Sequence, residues 1–205
     1  MKTKINLENW NRKEHFQFFS QFDEPFHSVT VNVDCTKTYN ESKENGTSFF
    51  LNYLHKSLVA ANRVKAFRLR IVDGEVYEYD HINASPTIGR TDGTFGFSYM
   101  DFHPDFANFL PHALEITEKI KKGTGLGPAA AVENVIHYSS LPWLKFTALS
   151  HARNYSYPDS APKISFGKMT EEKGRKTMPM SVHVHHGLVD GSDVGLYVEK
   201  LQELL

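Results

Sequence analysis

Apolar positions recur along the chain in two rhythms, one of period two and one of three to four residues. "HSVTVNVD" (His27 to Asp34) sets Val29, Val31 and Val33 at alternate positions, the pattern of a half-buried strand. "FRLRIVDGEVYEYD" (Phe67 to Asp80) holds two period-two runs joined by Asp73-Gly74. That pair tolerates the positive φ of a tight turn, so the stretch predicts a hairpin. "NVIHYSSLPWLKFTALS" (Asn134 to Ser150) reads as a strand, a break at Pro142 and a second strand. "APKISFGKM" and "TMPMSVHVHH" read as strands joined by the charged hairpin "TEEKGRK". The helical rhythm appears from Trp10 to Phe19, where Phe16 and Phe19 share a face, and in "SFFLNYLHKSLVAANRV" after a Gly-Thr-Ser cap region. It returns in "HPDFANFLPHALEITEKIKK", with Pro111 as a kink or restart, and in "DVGLYVEKLQELL", with Leu196, Val198, Leu201 and Leu205 at helical spacings. "KGTGLGPAAAV" (Lys122 to Val132) reads as a loop. Helices interspersed with hairpin-forming strands predict a two-layer α/β sandwich with a mixed, largely antiparallel sheet. No linker, repeat or low-complexity tract divides the chain, so residues 1–205 are expected to form a single domain.

Composition narrows the function classes. The chain of 205 residues is 40% hydrophobic and 23% charged, an ordinary globular balance. A formal net charge of −1 gives no basic surplus for nucleic acid. No apolar run approaches the roughly 18–20 residues that span a bilayer, and the N-terminal stretch lacks the apolar core of a secretory signal. Cys35, the one cysteine, has no partner for an intrachain disulfide. A reducing cytoplasm is the expected location. Neither a G-x-G-x-x-G nor a phosphate-cradling loop is present.

The chemistry concentrates in "VHVHHGLVDG" (Val182 to Gly191), three of the chain's 11 histidines and an aspartate in ten residues. Strand alternation puts His183 and His185 on one face and His186 on the other. A His-x-His pair can bind a metal, but a third ligand is wanting on that side, and no His-Glu-x-x-His or nearby cysteine supplies one. The plainer reading is that His183 and His185 are sheet residues with satisfied nitrogens, and no metal is expected. His186 falls at the strand's end, where "GLVDG" turns toward the last helix. A neutral imidazole there suits proton transfer near neutral pH. Asp190 lies four residues on, with Gly191 permitting a turn.

At this point the chain resembles a known family. "HHGLVDG" is similar to the active-site signature of the chloramphenicol acetyltransferases, a branch of the coenzyme-A-dependent acyltransferases that shares the motif with the acyltransferase cores of 2-oxo acid dehydrogenase complexes. "NWNRKEHF" (Asn9 to Phe16), "SSLPW" (Ser139 to Trp143) and "MPMSVHVHHGLVDG" followed by "LQELL" resemble its N-terminal, central and C-terminal blocks, in order and spacing. The resemblance implies acetyl transfer from acetyl-CoA to a hydroxyl of a small molecule, chloramphenicol above all, by a homotrimer with sites between subunits and no tightly bound cofactor. It implies His186 as general base and Ser139 as oxyanion donor. Arg12 and Asp190 would form a structural pair, Ser165 would stand where a threonine holds a site water, and Lys168 would lie near the coenzyme phosphates. Phe18, Phe19, His137, Trp143, Leu149, His151 and Lys163 would line the acceptor pocket, where Lys163 and the two imidazoles are unusually polar. Read without the resemblance, Ser139 is a turn serine before Pro142, Arg12 a solvated arginine and Asp190 a helix cap. The rival functions are acetylation of a more polar alcohol or an amine, a catalytically silent small-molecule binder, and a zinc module.

Overall fold

In the computed structural model, which describes residues 1–127, 133–155 and 159–205, each rhythm of the sequence takes a defined place. The strands are β1 (Lys2–Lys4), β2 (Phe26–Asp34), β3 (Leu69–Val72), β4 (Glu75–Tyr79), β5 (Asn83–Gly89), β6 (Phe95–Phe97), β7 (Val135–Ser140), β8 (Lys163–Phe166), β9 (Thr170–Glu172) and β10 (Arg175–His185). The helices are α1 (Lys13–Phe19), α2 (Thr36–Glu44), α3 (Phe49–Asn62), α4 (Phe106–Lys122) and α5 (Gly191–Leu204). The larger sheet runs β2-β10-β8-β7-β5-β6, with β9 pairing β10, and β1-β4-β3 form a small antiparallel sheet. Only β5–β7 and β7–β8 pair in parallel, so the sheet is mixed and largely antiparallel, as expected.

Local chemistry explains most of the boundaries. Asp73 (φ 52°) and Gly74 (φ 78°) close the β3–β4 hairpin, and Lys173 (φ 50°) with Gly174 (φ 79°) does the same between β9 and β10. The charged "TEEKGRK" is therefore not a bare connection: its flanks are themselves β9 and the start of β10. The Asp105 carboxylate caps α4 by accepting from Ala107 N–H at 2.7 Å, and the helix passes through Pro111 unbroken. Pro111 lies past the first turn of α4 and costs the helix one backbone hydrogen bond.

Two elements were invisible to apolar periodicity. The residues that α2 buries are Thr38 and Ser42, both polar, and Thr38 Oγ1 donates to Leu205 O at 2.5 Å. β5 carries Asn83 and Pro86, and its pairing across β7 and β6 overrides a weak strand signal. In the opposite direction, the strand expected after Pro142 is absent: residues 141–155 run as irregular chain. Apolar alternation in that segment has no ladder to join, since β8 already occupies the edge of β7. Of the predicted loop at Lys122 to Val132, residues 128–132 lie outside the described residues.

The sheet has one apolar and one polar face. Tyr138, Ile164 and Val182 stand in register on the face that the helices cover. There Ser57 of α3 donates to Tyr138 Oη at 3.0 Å and lies 2.6 Å from Tyr197 Oη of α5, tying two helices to the sheet. Ser139, Ser165 and Ser181 stand in register on the other face. All three hydroxyl-bearing members of the Ser57 network are buried, so Ser57→Ala should strand the Tyr138 phenol, leave the Tyr197 phenol only its weak contact to Met180 Sδ at 3.7 Å, and cost about 1–3 kcal/mol. Chemical denaturation of Ser57→Ala, Tyr197→Phe and the double variant would measure this; additive, small effects would show that the network carries no coupling.

Candidate active site

The loop after β10 is built around the His186 backbone. His186 N–H donates to Pro25 O at 2.8 Å, and Leu188 and Val189 N–H both donate to His185 O, at 2.9 and 3.0 Å, curling the chain sharply. Gly187 is needed for that curl: a Cβ there would lie 3.0 Å from His185 Cε1 and 3.4 Å from Phe16 Cα. Gly191, read from the sequence as the turn-former, begins α5 in open space and uses no special conformation.

Arg12, just before α1, reaches across to this loop. Its Nη1 donates to Asp190 Oδ2, and its Nη2 donates to Asp190 Oδ1 at 3.2 Å and to His186 O at 2.8 Å. One guanidinium thus holds both the carboxylate and the carbonyl of the candidate base. The side chains of Arg12 and Asp190 are 15% and 32% exposed, so the pair is partly, not fully, buried. The Arg12 hydrogen bond keeps the Asp190 carboxyl below its ordinary range. Asp190 is also the N-cap residue of α5, where the helix dipole favours an anion, and Asp193 accepts from its N–H at 2.8 Å.

The His186 ring stacks on Phe19 at 4.0 Å between centroids, and packs against His27 at 4.4 Å. Its Nδ1 lies 3.2 Å from Asp190 Oδ1, but the approach is too oblique for a hydrogen bond, and this buried nitrogen has no hydrogen-bond partner among the described residues. His27, which the sequence offered only as the first residue of a strand, holds Val189 O at 3.2 Å from Nε2. No pattern in the sequence marked it. His183 and His185 are buried sheet residues, with His183 Nε2 on Ser181 Oγ at 2.9 Å and His185 Nδ1 accepting from Gly187 N–H at 3.1 Å. Among the described residues no three His, Cys, Asp or Glu side chains converge as metal ligands would.

The remaining candidates fall into two further groups. On the polar sheet face, His137 and Ser139 of β7 lie beside Lys163 and Ser165 of β8. Ser165 is fully buried, with Oγ 3.4 Å from His151 Nε2. Leu149, His151 and Lys163 line a cavity of about 190 Å³ together with Arg153 and His183. Solvent reaches His137, but the protein around it and the Lys163 ammonium push its imidazole down. Elsewhere, Lys168 and Trp143 share a cavity of about 690 Å³ with Phe49, Tyr53, Lys121 and Ser140. Trp143, 78% exposed, thus lines one cavity with Lys168. Phe18 packs with Phe19 on α1 and with Phe22 just beyond its end.

Within one chain His186 and Ser139 do not meet. Ser139 is level with Ser181 across β8, so two strand spacings and five residues separate it from His186, roughly 19 Å. The two side chains stand at different ends of the sheet.

Two outcomes follow. Arg12→Gln or Asp190→Asn should each destabilise the chain by about 2 kcal/mol, discounted for the pair's partial exposure, with strong coupling in a double-mutant cycle. Because the folded Asp190 pKa is depressed, that contribution is complete above the ordinary carboxyl pKa and is lost as pH falls through the folded value. A second window comes from imidazoles: burial pushes His151 and His185 down to about 4. Between there and about 6.5 the unfolded chain binds protons that the folded chain refuses, so stability rises with pH. The denaturation midpoint should fall from pH 6.5 toward 4, less steeply in His185→Asn; a flat profile would contradict the buried neutral imidazoles.

Comparison with known proteins accords with this geometry. The family model for chloramphenicol acetyltransferase matches residues 1–202. A chloramphenicol acetyltransferase of Clostridium perfringens is 31% identical over 98% of this chain and 97% of its own, and one of Proteus mirabilis is 28% identical over 97% and 92%. A solved chloramphenicol acetyltransferase superposes over 100% of both chains with a TM-score of 0.94 at 34% identity. The cubic core of the pyruvate dehydrogenase complex shares the fold, with a TM-score of 0.68 at 15% identity over 93% of this chain and 85% of that one. With a family match over nearly its whole length, the chain belongs to the chloramphenicol acetyltransferase family.

Proposed function

We propose that the chain transfers the acetyl group of acetyl-CoA to a hydroxyl of a small molecule, with chloramphenicol as the acceptor its family points to. The observation that carries this reading is the state of His186. Its Nδ1 is enclosed against Asp190, its carbonyl is clamped by Arg12, and no hydrogen bond among the described residues engages Nε2. That leaves one ring nitrogen to take a proton from an acceptor hydroxyl. The alkoxide forming under general-base assistance attacks the thioester carbonyl, an effect worth about 10²–10⁴ in rate. Ser139 donates to the resulting oxyanion, and collapse expels the coenzyme thiolate, which His186 protonates. No acyl-enzyme is required.

Because His186 and Ser139 lie at different ends of one sheet, the proposal needs a second copy of the chain: His186 of one protomer faces Ser139 of its neighbour, in a closed homotrimer. The larger cavity suits the coenzyme. Phe49, Tyr53 and Trp143 offer it apolar surface for a pantetheine arm, and Lys168 and Lys121 offer charge for phosphates. Ser140, beside Ser139, lines it, so a thioester carbonyl there comes close to the oxyanion donor. A cytoplasmic location agrees with the reading, and among the described residues no helix is long and apolar enough to cross a membrane.

His186→Ala should lower kcat by several orders of magnitude in a thiol-release assay while acetyl-CoA still binds. Ser139→Ala should lower kcat by roughly 10²–10³ with little change in KM, as for a contact made in the transition state. Mixing the two inactive variants after dissociation and reassembly should restore about a quarter of the activity, since only sites with both intact contributors work. No recovery in reassembled oligomers would overturn the shared site, and an acetyl-serine trapped at residue 139 would overturn direct transfer.

A further inference from the structure

His186 has one neighbour to which the acetyl-transfer chemistry gives no task. His27 stands near the start of β2, opposite Val184 of β10. It continues the row of Val33, Val31 and Val29, whose partners across the ladder are Met178, Met180 and Val182. That row packs toward the apolar layer, so alternation calls for one more apolar side chain at position 27. An imidazole in that place must find a partner for its N–H or leave it unpaired beside apolar neighbours. Nε2 finds Val189 O at 3.2 Å. A carbonyl oxygen only accepts, so Nε2 carries the proton and donates. Val189 immediately precedes Asp190, whose Oδ1 lies 3.2 Å from His186 Nδ1. The same His27 ring packs against the His186 ring, with centroids 4.4 Å apart and planes at 44°. One side chain thus holds the loop just before Asp190 and touches the imidazole that Asp190 adjoins.

The His186 backbone is fixed by Pro25 O and by Arg12, but neither contact sets the rotation of the ring. Rotation about the bond that carries an imidazole is soft, and Nδ1 has no hydrogen-bond partner among the described residues to lock it. The orientation therefore rests on what packs against the ring: Phe19, stacked at 4.0 Å, and His27. We infer that His27 is a positioning residue for the general base: its donation to Val189 O fixes the loop between His186 and Asp190, and its ring restricts the rotation of the His186 imidazole. Nδ1 is thereby kept against Asp190 and Nε2 toward the acceptor hydroxyl. The inference rests on the reading of His186 as the base. The charged and titratable groups that face His27 are His186, Asp190 and Arg12, and burial holds its own imidazole below the ordinary range. A neutral His27 supplies this geometry without setting a second cation against the imidazolium that His186 becomes during proton transfer.

Three variants separate the two contacts. His27→Ala loses both, His27→Phe keeps a ring and loses the donor, and His27→Gln keeps an N–H donor and loses the ring. Thiol release with acetyl-CoA and chloramphenicol should show kcat lowered roughly 10–100-fold in His27→Ala, the scale of a small misplacement of a reacting group. KM for both substrates should stay within about twofold, and the Phe and Gln variants should each recover part of kcat. Nitrogen NMR of histidine-labelled protein reads the ring without turnover. Near neutral pH, His186 of the wild-type protein should show one neutral tautomer, with Nδ1 protonated and Nε2 bare, and His27→Ala should show a mixture. Thermal melting confirms that each variant folds, and the Phe and Gln variants carry the test if His27→Ala does not. An unchanged kcat in folded variants overturns the inference, as does a single His186 tautomer with or without His27. A rise in KM with kcat unchanged also overturns it, since His27 would then bind substrate and not position the base. Absence of acetyl transfer by the wild-type protein, with the tautomer contrast present, would remove the acetyl-transfer reading and leave His27 as the group that orients His186.

Discussion

The register of β10 is the constraint on which the rest of the molecule depends. This strand is paired along its length, with β2 on one side and with β8 and β9 on the other. Its sequence alternates strictly, with Met180, Val182 and Val184 toward the helices and Ser181, His183 and His185 toward the opposite face. A slip of one residue would drive three polar side chains into the apolar layer, so the register is fixed by burial alone. The last paired residue is His185, opposite Phe26. His186 is the first residue free of the ladder, and it emerges where α1, Arg12 and the start of β2 converge. Its place in the site is thus set by where the pairing stops.

What the sequence disclosed and what it concealed divide along a physical line. Strands with clean alternation, such as β2 and β10, and turns with Asp-Gly or Lys-Gly at positive φ were readable because the signal is local. The pairing of Arg12 with Asp190 was reached only through the family resemblance, since nothing in either residue's neighbourhood marks it. Helix α2 escaped because the residues it buries are Thr38 and Ser42, whose hydroxyls are satisfied by backbone carbonyls. His27 escaped because its contact with His186 depends on how far β2 extends along β10, a tertiary fact. The segment after Pro142 misled for a related reason: its apolar residues imitate a strand, but a strand also needs a free edge. Trp143, expected at the acceptor from its position in a motif, follows the end of β7 in irregular chain and lines the cavity of Lys168.

The site's geometry also accounts for a division of labour between charges. Arg12 is bound to a carboxylate and to a carbonyl, so its role is completed within the fold. Arg70 is a parallel case: fully buried, it has no carboxylate at all and is satisfied by the carbonyls of Phe67, Leu69, Glu133 and Val135. Such guanidinium groups are structural fasteners, and burial is compatible with their charge because oxygens meet them: all three nitrogens of Arg70 and both terminal nitrogens of Arg12 donate. Arg153 is partnered differently again, by the Glu24 carboxylate at 3.3 Å and by the Phe26 ring at 3.6 Å.

Alternation explains how recognition and catalysis could diverge in one fold. His137 and Lys163 lie on the polar face, while their strand neighbours Ile136, Tyr138 and Ile164 carry the apolar layer against the helices. Substitutions on the polar face therefore alter the recess without disturbing the core, and they reach the His186 ring only through His27, which lines the recess and packs against that ring at 4.4 Å. Polar and charged residues accumulate in this recess at little cost to stability provided each finds a partner, as Lys163 does in Asp159. The fold thus fixes the His186 loop by the pairing of β10 and leaves the recess to side chains that the core does not constrain.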